Sequence, residues 1–268
     1  MTAYALTDSA TMLRRNLLHL RRYPSLTVLI LGMPIVFLLL FVYVFGGTLG
    51  SGLHTALPAG TAALTGRAAY ANYVAPAIIL LTAAAVAQGT AISVASDMTQ
   101  GIIARFRTMA ITRSSVLTGH VLGSLIQSVL GMAVVTGVAI AVGFRPTATP
   151  LEWLAAAGLL VLVALAFTWL TVALGLAAKS VETASNSPMF LILLPFLGSG
   201  FVPASSMPPV LRWFAEYQPF TPITETLRGL LLGTGIGHQA GLAVAWCAII
   251  AVASYLWAKN LYRRRPVR

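Results

Sequence analysis

WLAAAGLLVLVALAFTWLTVALGLAA, residues 153–178, contains no Asp, Glu, Lys or Arg. A hydrocarbon core about 30 Å thick takes roughly 20 apolar residues of helix, and this stretch supplies them. Barrel strands alternate apolar and polar residues over about 10 positions, whereas this run is continuously apolar, so the spanning element is a helix. Further stretches without those charges run over 23–66, 68–96, 114–144, 183–211 and 229–258. With 9% charged residues and a mean hydropathy of +0.86, a soluble 268-residue chain would lack the polar surface to stay dissolved. The pattern predicts an all-α integral membrane protein, a single transmembrane domain over 1–268. Its six spans are placed near 26–46, 73–95, 116–142, 153–178, 187–203 and 239–258.

Basic residues orient these spans. Both termini fall on one side, together with all but Arg67, Arg145, Arg212 and Arg228 of the 17 Lys and Arg residues. Cytoplasmic loops carry the excess of Lys and Arg, so both termini are expected in the cytoplasm. The formal charge of +11 then suits anionic lipid of the inner leaflet. Nucleic acid is not expected as a partner, because the charge is divided among short loops. The run from Ser25 to Phe45 exceeds the 7–15-residue apolar core of a cleaved signal peptide, and cleavage is not expected.

Three segments outside the spans carry pattern. In 6–24, Leu6, Ala10, Leu13, Leu17 and Leu20 form one apolar stripe, with Arg14, Arg15, Arg21 and Arg22 off it. A helix of this kind lies in the membrane interface, though an ordinary basic flank reads the same way. In SDMTQGIIARFRTMAITRSSVLTGH, 96–120, Ser96 or Asp97 can cap a short helix. That helix places Ile102, Ile103, Phe106, Met109 and Ala110 on one face and Arg105 and Arg107 off it. An apolar ridge with polar edges suits helix-in-groove docking of a soluble partner; a solvated basic turn is the plainer alternative.

The third segment, FVPASSMPPVLRWFAEYQPFTPITETLRGLLLGTG at 201–235, is too polar to span and too apolar for a free loop. Pro208 and Pro209 open a short helix that carries Leu211, Trp213, Phe214, Glu216 and Tyr217. Pro219 and Pro222 break it, a second helix starts at Thr221–Pro222, and Glu225 and Arg228 pair on it at three-residue spacing. Gly233, Gly235 and Gly237 end that helix. Irregular backbone near membrane depth has to be covered by protein or water, so 204–235 is expected to fold back on the spans as an external re-entrant segment. It either closes the outer end of a pathway or forms a rigid lid.

DMTQGIIARFRTMAITRSSVLTGHVLGSL resembles the first cytoplasmic loop of type-2 ABC exporter permeases of the daunorubicin-resistance, multidrug kind. FVPASSMPPVLRWFAEYQPFTPITETLRGLLLG resembles the same family's Pro-rich external segment. Gln218 stands where asparagine is common there, and Glu-Thr-Leu-Arg at 225–228 where Glu-Ala-Leu-Arg is. The six-span layout and the N-terminal interfacial helix match too, so the resemblance covers essentially the whole chain. It implies a type-2 ABC exporter permease fold and a bacterial inner-membrane subunit that is not itself an enzyme. Two permease chains, as a homodimer, would work with two copies of a separate ABC ATPase subunit. ATP and magnesium would sit on that ATPase, and this chain would bind no cofactor. By the resemblance, 97–113 is the coupling helix, with Asp97, Gly101, Ile102, Ile103, Arg105, Phe106, Arg107 and Met109 facing the ATPase. Trp213, Glu216, Pro219, Pro222, Glu225 and Arg228 would belong to re-entrant helices at the exit of the pathway.

The residues agree that the energy source is external. A phosphate-cradling loop needs Gly-x4-Gly-Lys-Ser/Thr, and GLAAKS at 175–180 has alanine at both glycine positions, 173 and 178. His19, His54, His120 and His238 lie in separate regions without ligand spacing, so no metal is expected. His120, early in the third span, is expected to bond a neighbouring helix. Ion-coupled carriers keep ionisable groups at mid-membrane, and here the mid-span polar residues are uncharged. Gln88, Gln127, Thr168, Thr171 and Asn186 either line a substrate path or hydrogen-bond between helices. Gly119 and Gly123, and the alanine-rich faces of the second and fourth spans, permit close helix approach, either within the chain or at a dimer seam. No residue is expected to be catalytic.

The expected function is outward movement of a hydrophobic or amphipathic, drug-like or lipid-like substrate, driven by ATP hydrolysis on a partner. A self-contained channel or secondary carrier, a polysaccharide- or haem-related exporter and a membrane scaffold are the alternatives.

Overall fold

The computed structural model describes residues 24–51, 66–99 and 113–264. Helix α1, Pro24–Leu40, passes through a π-helical turn at Phe41–Phe45 into α2, Gly46–Ser51. The long helices α3, Gly66–Thr99, and α4, Arg113–Val142, follow, and then α5, Pro150–Ala177. Short helices α6, Val181–Asn186, and α7, Met189–Leu193, lead into a 3-10 turn at Leu194–Leu197. After α8, Pro209–Tyr217, and α9, Phe220–Leu231, the chain closes with α10, Gln239–Arg264. The described residues form helices and connections without strands, in keeping with the all-α membrane class.

Five of the six expected spans are long and apolar enough to cross a bilayer: Ile30–Ser51, Gly66–Thr99, Leu117–Val142, Pro150–Ala177 and Gln239–Arg263. The stretch at 187–203 differs. It overlaps a shorter apolar run, Val181–Leu197, divided at Ser187–Pro188 and tightened to 3-10 at Leu194–Leu197. Pro188 and Pro195 each lack the amide that a continuing α-helix needs, which accounts for both interruptions. The expected interfacial helix over 6–24 lies outside the described residues except for Pro24, where α1 begins.

The fold is organised around α3, which α1, α4, α5 and α6 all contact. In its most apolar window 72% of the residues are buried, against 17% in α10 and 22% in the Ile30–Ser51 span. Small residues make this possible. Ala83, Ala84, Ala87 and Ala91 of α3 are fully buried, and α5 approaches so closely that a Cβ on Gly175 would stand 2.7 Å from the Ala91 carbonyl oxygen. The alanine-rich faces of α3 and α5 therefore meet within the chain. Aromatic rings fill the groove between the π-turn and the broken stretch. Phe196 stacks on Phe201 at 4.4 Å between centroids, and Phe41 lies 4.5 Å from Phe201. The outward surface stays apolar: Val244, Ile249, Val252 and Leu256 of α10 are exposed, as lipid-facing residues are in a membrane protein.

α5 starts from a complete capping box. The Thr149 backbone amide donates to Glu152 Oε2 at 2.7 Å, and the Glu152 amide donates to Thr149 Oγ1. Pro150 occupies the first helical position, where its missing N–H costs nothing.

Candidate functional site

Polar chemistry is concentrated at the two ends of the helical body and in one thread between them. The end that carries the start of α3 and the end of α4 is built around α9. That helix enters the bundle: Phe220, at its start, stacks on Phe167 beyond the midpoint of α5, at 5.3 Å between centroids. At the opposite end of α9, Thr147 donates from its amide to the Leu231 carbonyl and from its hydroxyl to the Leu232 carbonyl. Nearly every residue of α9 is buried, so this part of 204–235 folds back among the spans. The helix begins at Phe220 rather than at Thr221–Pro222 and tolerates Pro222 in its first turn, where no intrahelical amide is needed. It stops at Leu231, and Gly233 follows with a φ of +63°, a conformation glycine adopts without penalty.

Arg228 is the centre of this end. Its guanidinium is buried, donating from Nε and Nη2 to the Tyr73 carbonyl at 3.2 and 3.0 Å and from Nη2 to the Ser199 carbonyl at 3.0 Å. Nη1 donates to Glu225 Oε1 at 2.8 Å, the expected pair. The guanidinium carbon lies 3.8 Å from the centroid of the Tyr73 ring. Tyr73 donates its hydroxyl to the Ser199 carbonyl at 2.8 Å, and Tyr70 donates to the Phe201 carbonyl. Pro76 lacks the amide that would bond the Asn72 carbonyl, which loosens α3 beside Tyr73, and the irregular backbone at 198–201 leaves carbonyls without helix bonds. One planar cation with several fixed donors can satisfy both places at once.

Gln218 and Thr221 complete the joint. Gln218 Nε2 donates to the Leu194 carbonyl, and Thr221 Oγ1 accepts from the Ser199 amide. A Cβ on Gly198 would displace the Gln218 amide and crowd Thr221 Oγ1, so glycine leaves room for both bonds. By contrast α8 is exposed over most of its length, with Ala215 buried. Val210, Trp213 and Tyr217 point outward, Trp213 and Tyr217 pair at 5.4 Å, and Glu216 bonds Arg212 at 2.8 Å. Pro219 sits at the junction of α8 and α9.

At the other end, Asp97 in the last turn of α3 meets His120 in the second turn of α4, Oδ2 to Nε2 at 3.0 Å, both side chains buried. His120 therefore bonds a neighbouring helix, as its position predicts. Of the residues expected to face an ATPase, Asp97 points inward; Gly101, Ile102, Ile103, Arg105, Phe106, Arg107 and Met109 lie outside the described residues. Lys179 is exposed just beyond the end of α5.

Between the ends runs a thread of hydroxyls. Thr90 Oγ1 of α3 donates to Ser124 Oγ of α4 at 2.6 Å, and Ser124 Oγ lies 3.3 Å from Thr168 Oγ1 of α5. Thr168 is thus placed between helices, while Gln88 donates from Nε2 to the Ser185 carbonyl at 2.7 Å, holding α6 on α3. Gln127 is half-buried, and Asn186, next to Ser185, is exposed. Sequence reading missed Thr90 and Ser124; the four-residue spacing of His120, Ser124 and Ser128 was the available signal.

Membrane-length helices with a shorter helix buried among them define a multi-pass membrane protein. Residues 8–232 match the model of the ABC-2 type transporter family, and the chain belongs to that family. It is 25% identical to the daunorubicin resistance ABC transporter permease protein DrrB1 of Streptomyces coeruleorubidus, over 98% of this chain and 88% of that protein. It is 22% identical to the probable doxorubicin resistance ABC transporter permease protein DrrC of Mycobacterium tuberculosis, over 65% of this chain and 63% of that protein. ABC transporter G family member 20 of Dictyostelium discoideum is 29% identical over 70% of this chain, which spans 25% of that longer protein.

Proposed function

We propose that this chain is the membrane subunit of an ATP-driven exporter that moves a hydrophobic or amphipathic compound outward across the bacterial cytoplasmic membrane. The observation that carries the reading is the relation over 98% of the chain to a permease named for daunorubicin resistance. The spans support it, since their mid-helix polar groups are hydroxyls and amides, suited to helix packing rather than to ion coupling. Both termini are cytoplasmic in this reading, which puts Asp97 inside and Arg228 outside.

Two copies of the chain pair with two copies of a separate ABC ATPase, which holds ATP and magnesium. The apolar ridge Ile102, Ile103, Phe106 and Met109, edged by Arg105 and Arg107 and preceded by Gly101, docks on that ATPase. Nucleotide-driven closure moves the docked segment, and the spans follow as packed bodies with two arrangements. Pull-down of tagged chain from its native membrane in mild detergent tests this. A Walker-motif subunit in about equal amount, lost in Phe106→Asp, is the expected result; recovery of the chain alone would overturn the reading.

A further inference from the structure

We propose that Asp97, His120 and the hydroxyls of Thr90, Ser124 and Thr168 tie α3, α4 and α5 into one lever that carries motion of the connecting segment into the spans. The inference rests on the ATPase-coupled reading above. Asp97 and His120 stand on the two helices that residues 100–112 join, close to where each helix meets that segment. A carboxylate accepting from imidazole Nε2 at 3.0 Å, with both partners buried, resists separation far more than an exposed pair would. One turn further along α4, Ser124 accepts from Thr90 and reaches Thr168, so the same polar stripe that grips α3 also grips α5. Val94, Leu117, Val121, Val172, Ala173 and Leu176 form an apolar cluster at this end that keeps water from the pair. A push on either end of the connecting segment therefore displaces three spans together instead of prising α3 from α4. His120 is a positioning residue in this scheme: it touches no cargo and acts through Asp97.

The test uses the full chain with its co-purified ATPase in liposomes. Spin labels are placed at exposed Ser93 of α3 and Leu122 of α4 through cysteines, with Cys247→Ala removing the native thiol. With His120 intact, the inter-label distance is expected to be single and narrow both without nucleotide and with ATP plus vanadate. In His120→Leu it should stay narrow without nucleotide and become broad or double under ATP plus vanadate. The exchanged pair Asp97→His with His120→Asp should restore the narrow distance. A His120→Leu distribution that matches the parent in both states overturns the lever. A distribution already broad without nucleotide also overturns it, because the pair would then only hold the fold. Absence of an ATPase from the parent sample is a separate outcome, which sinks the ATPase-coupled reading and the lever with it.

Discussion

Arg228 shows what a single buried cation can hold together. Its partners are the backbone of residue 73, the backbone of residue 199 and the Glu225 carboxylate. A methionine of similar length would fill the space but leave the Tyr73 carbonyl without that donor. Since an unmade bond to a buried polar group costs roughly 1–3 kcal/mol, Arg228→Met should destabilise the chain by about that amount. Arg228→Lys should recover part of this, because an ammonium lacks the planar fork. Thermal melting of the detergent-solubilised variants measures both; an unchanged melting temperature in Arg228→Met would refute the role. Gly175 is the corresponding case for packing. Its Cβ position lies 2.7 Å from backbone rather than from a movable side chain, so Gly175→Val should cost about 1–3 kcal/mol by forcing α5 off α3. The Glu225–Arg228 pair was legible from its three-residue spacing. Tyr73 and Ser199 were not, because backbone carbonyls distant along the chain leave no side-chain signature.

Among the elements, α5 is the most completely specified by local sequence. Thr149, Pro150 and Glu152 fix its start, and Thr149→Ala should cost about 1 kcal/mol through loss of the cap, read in the same melting experiment. The stretch at 187–203 shows the opposite. Freedom from charge made it look like a span, while Pro188 and Pro195 divide it into short pieces. Hydropathy reports whether a segment tolerates lipid; helix continuity depends on amides that proline lacks. The two helices of 204–235 also differ in a way composition did not show. α9 is buried among α3, α5 and α10, whereas α8 exposes Val210, Trp213 and Tyr217. A cysteine at Val210 in the Cys247→Ala chain should react with a membrane-impermeant maleimide added to intact cells. Protection of that thiol until the cells are opened would place α8 on the inner side. The π-turn at Phe41–Phe45 packs beside Phe196 and Phe201, and nothing in its own sequence explains the wider winding.

At the scale of the whole molecule, orientation is the property most open to direct test. With both termini cytoplasmic, a fluorescent protein fused after Arg268 should fold and fluoresce, and an alkaline phosphatase fused there should stay inactive; the reverse pattern would invert the topology. The class and the all-α membrane architecture are legible in the chain's composition and its long uncharged runs. Both rest on local quantities: run length and charge spacing. Only the folded arrangement shows that α3 is central, that Arg228 bonds the backbone of two distant segments and that Asp97 turns inward to His120. It also shows that Thr168 joins a hydroxyl thread between helices. The physical reason is that in a chain this apolar nearly every span face is compatible with burial. Which faces meet then depends on close fit between small residues and on a few polar groups finding partners far away in sequence.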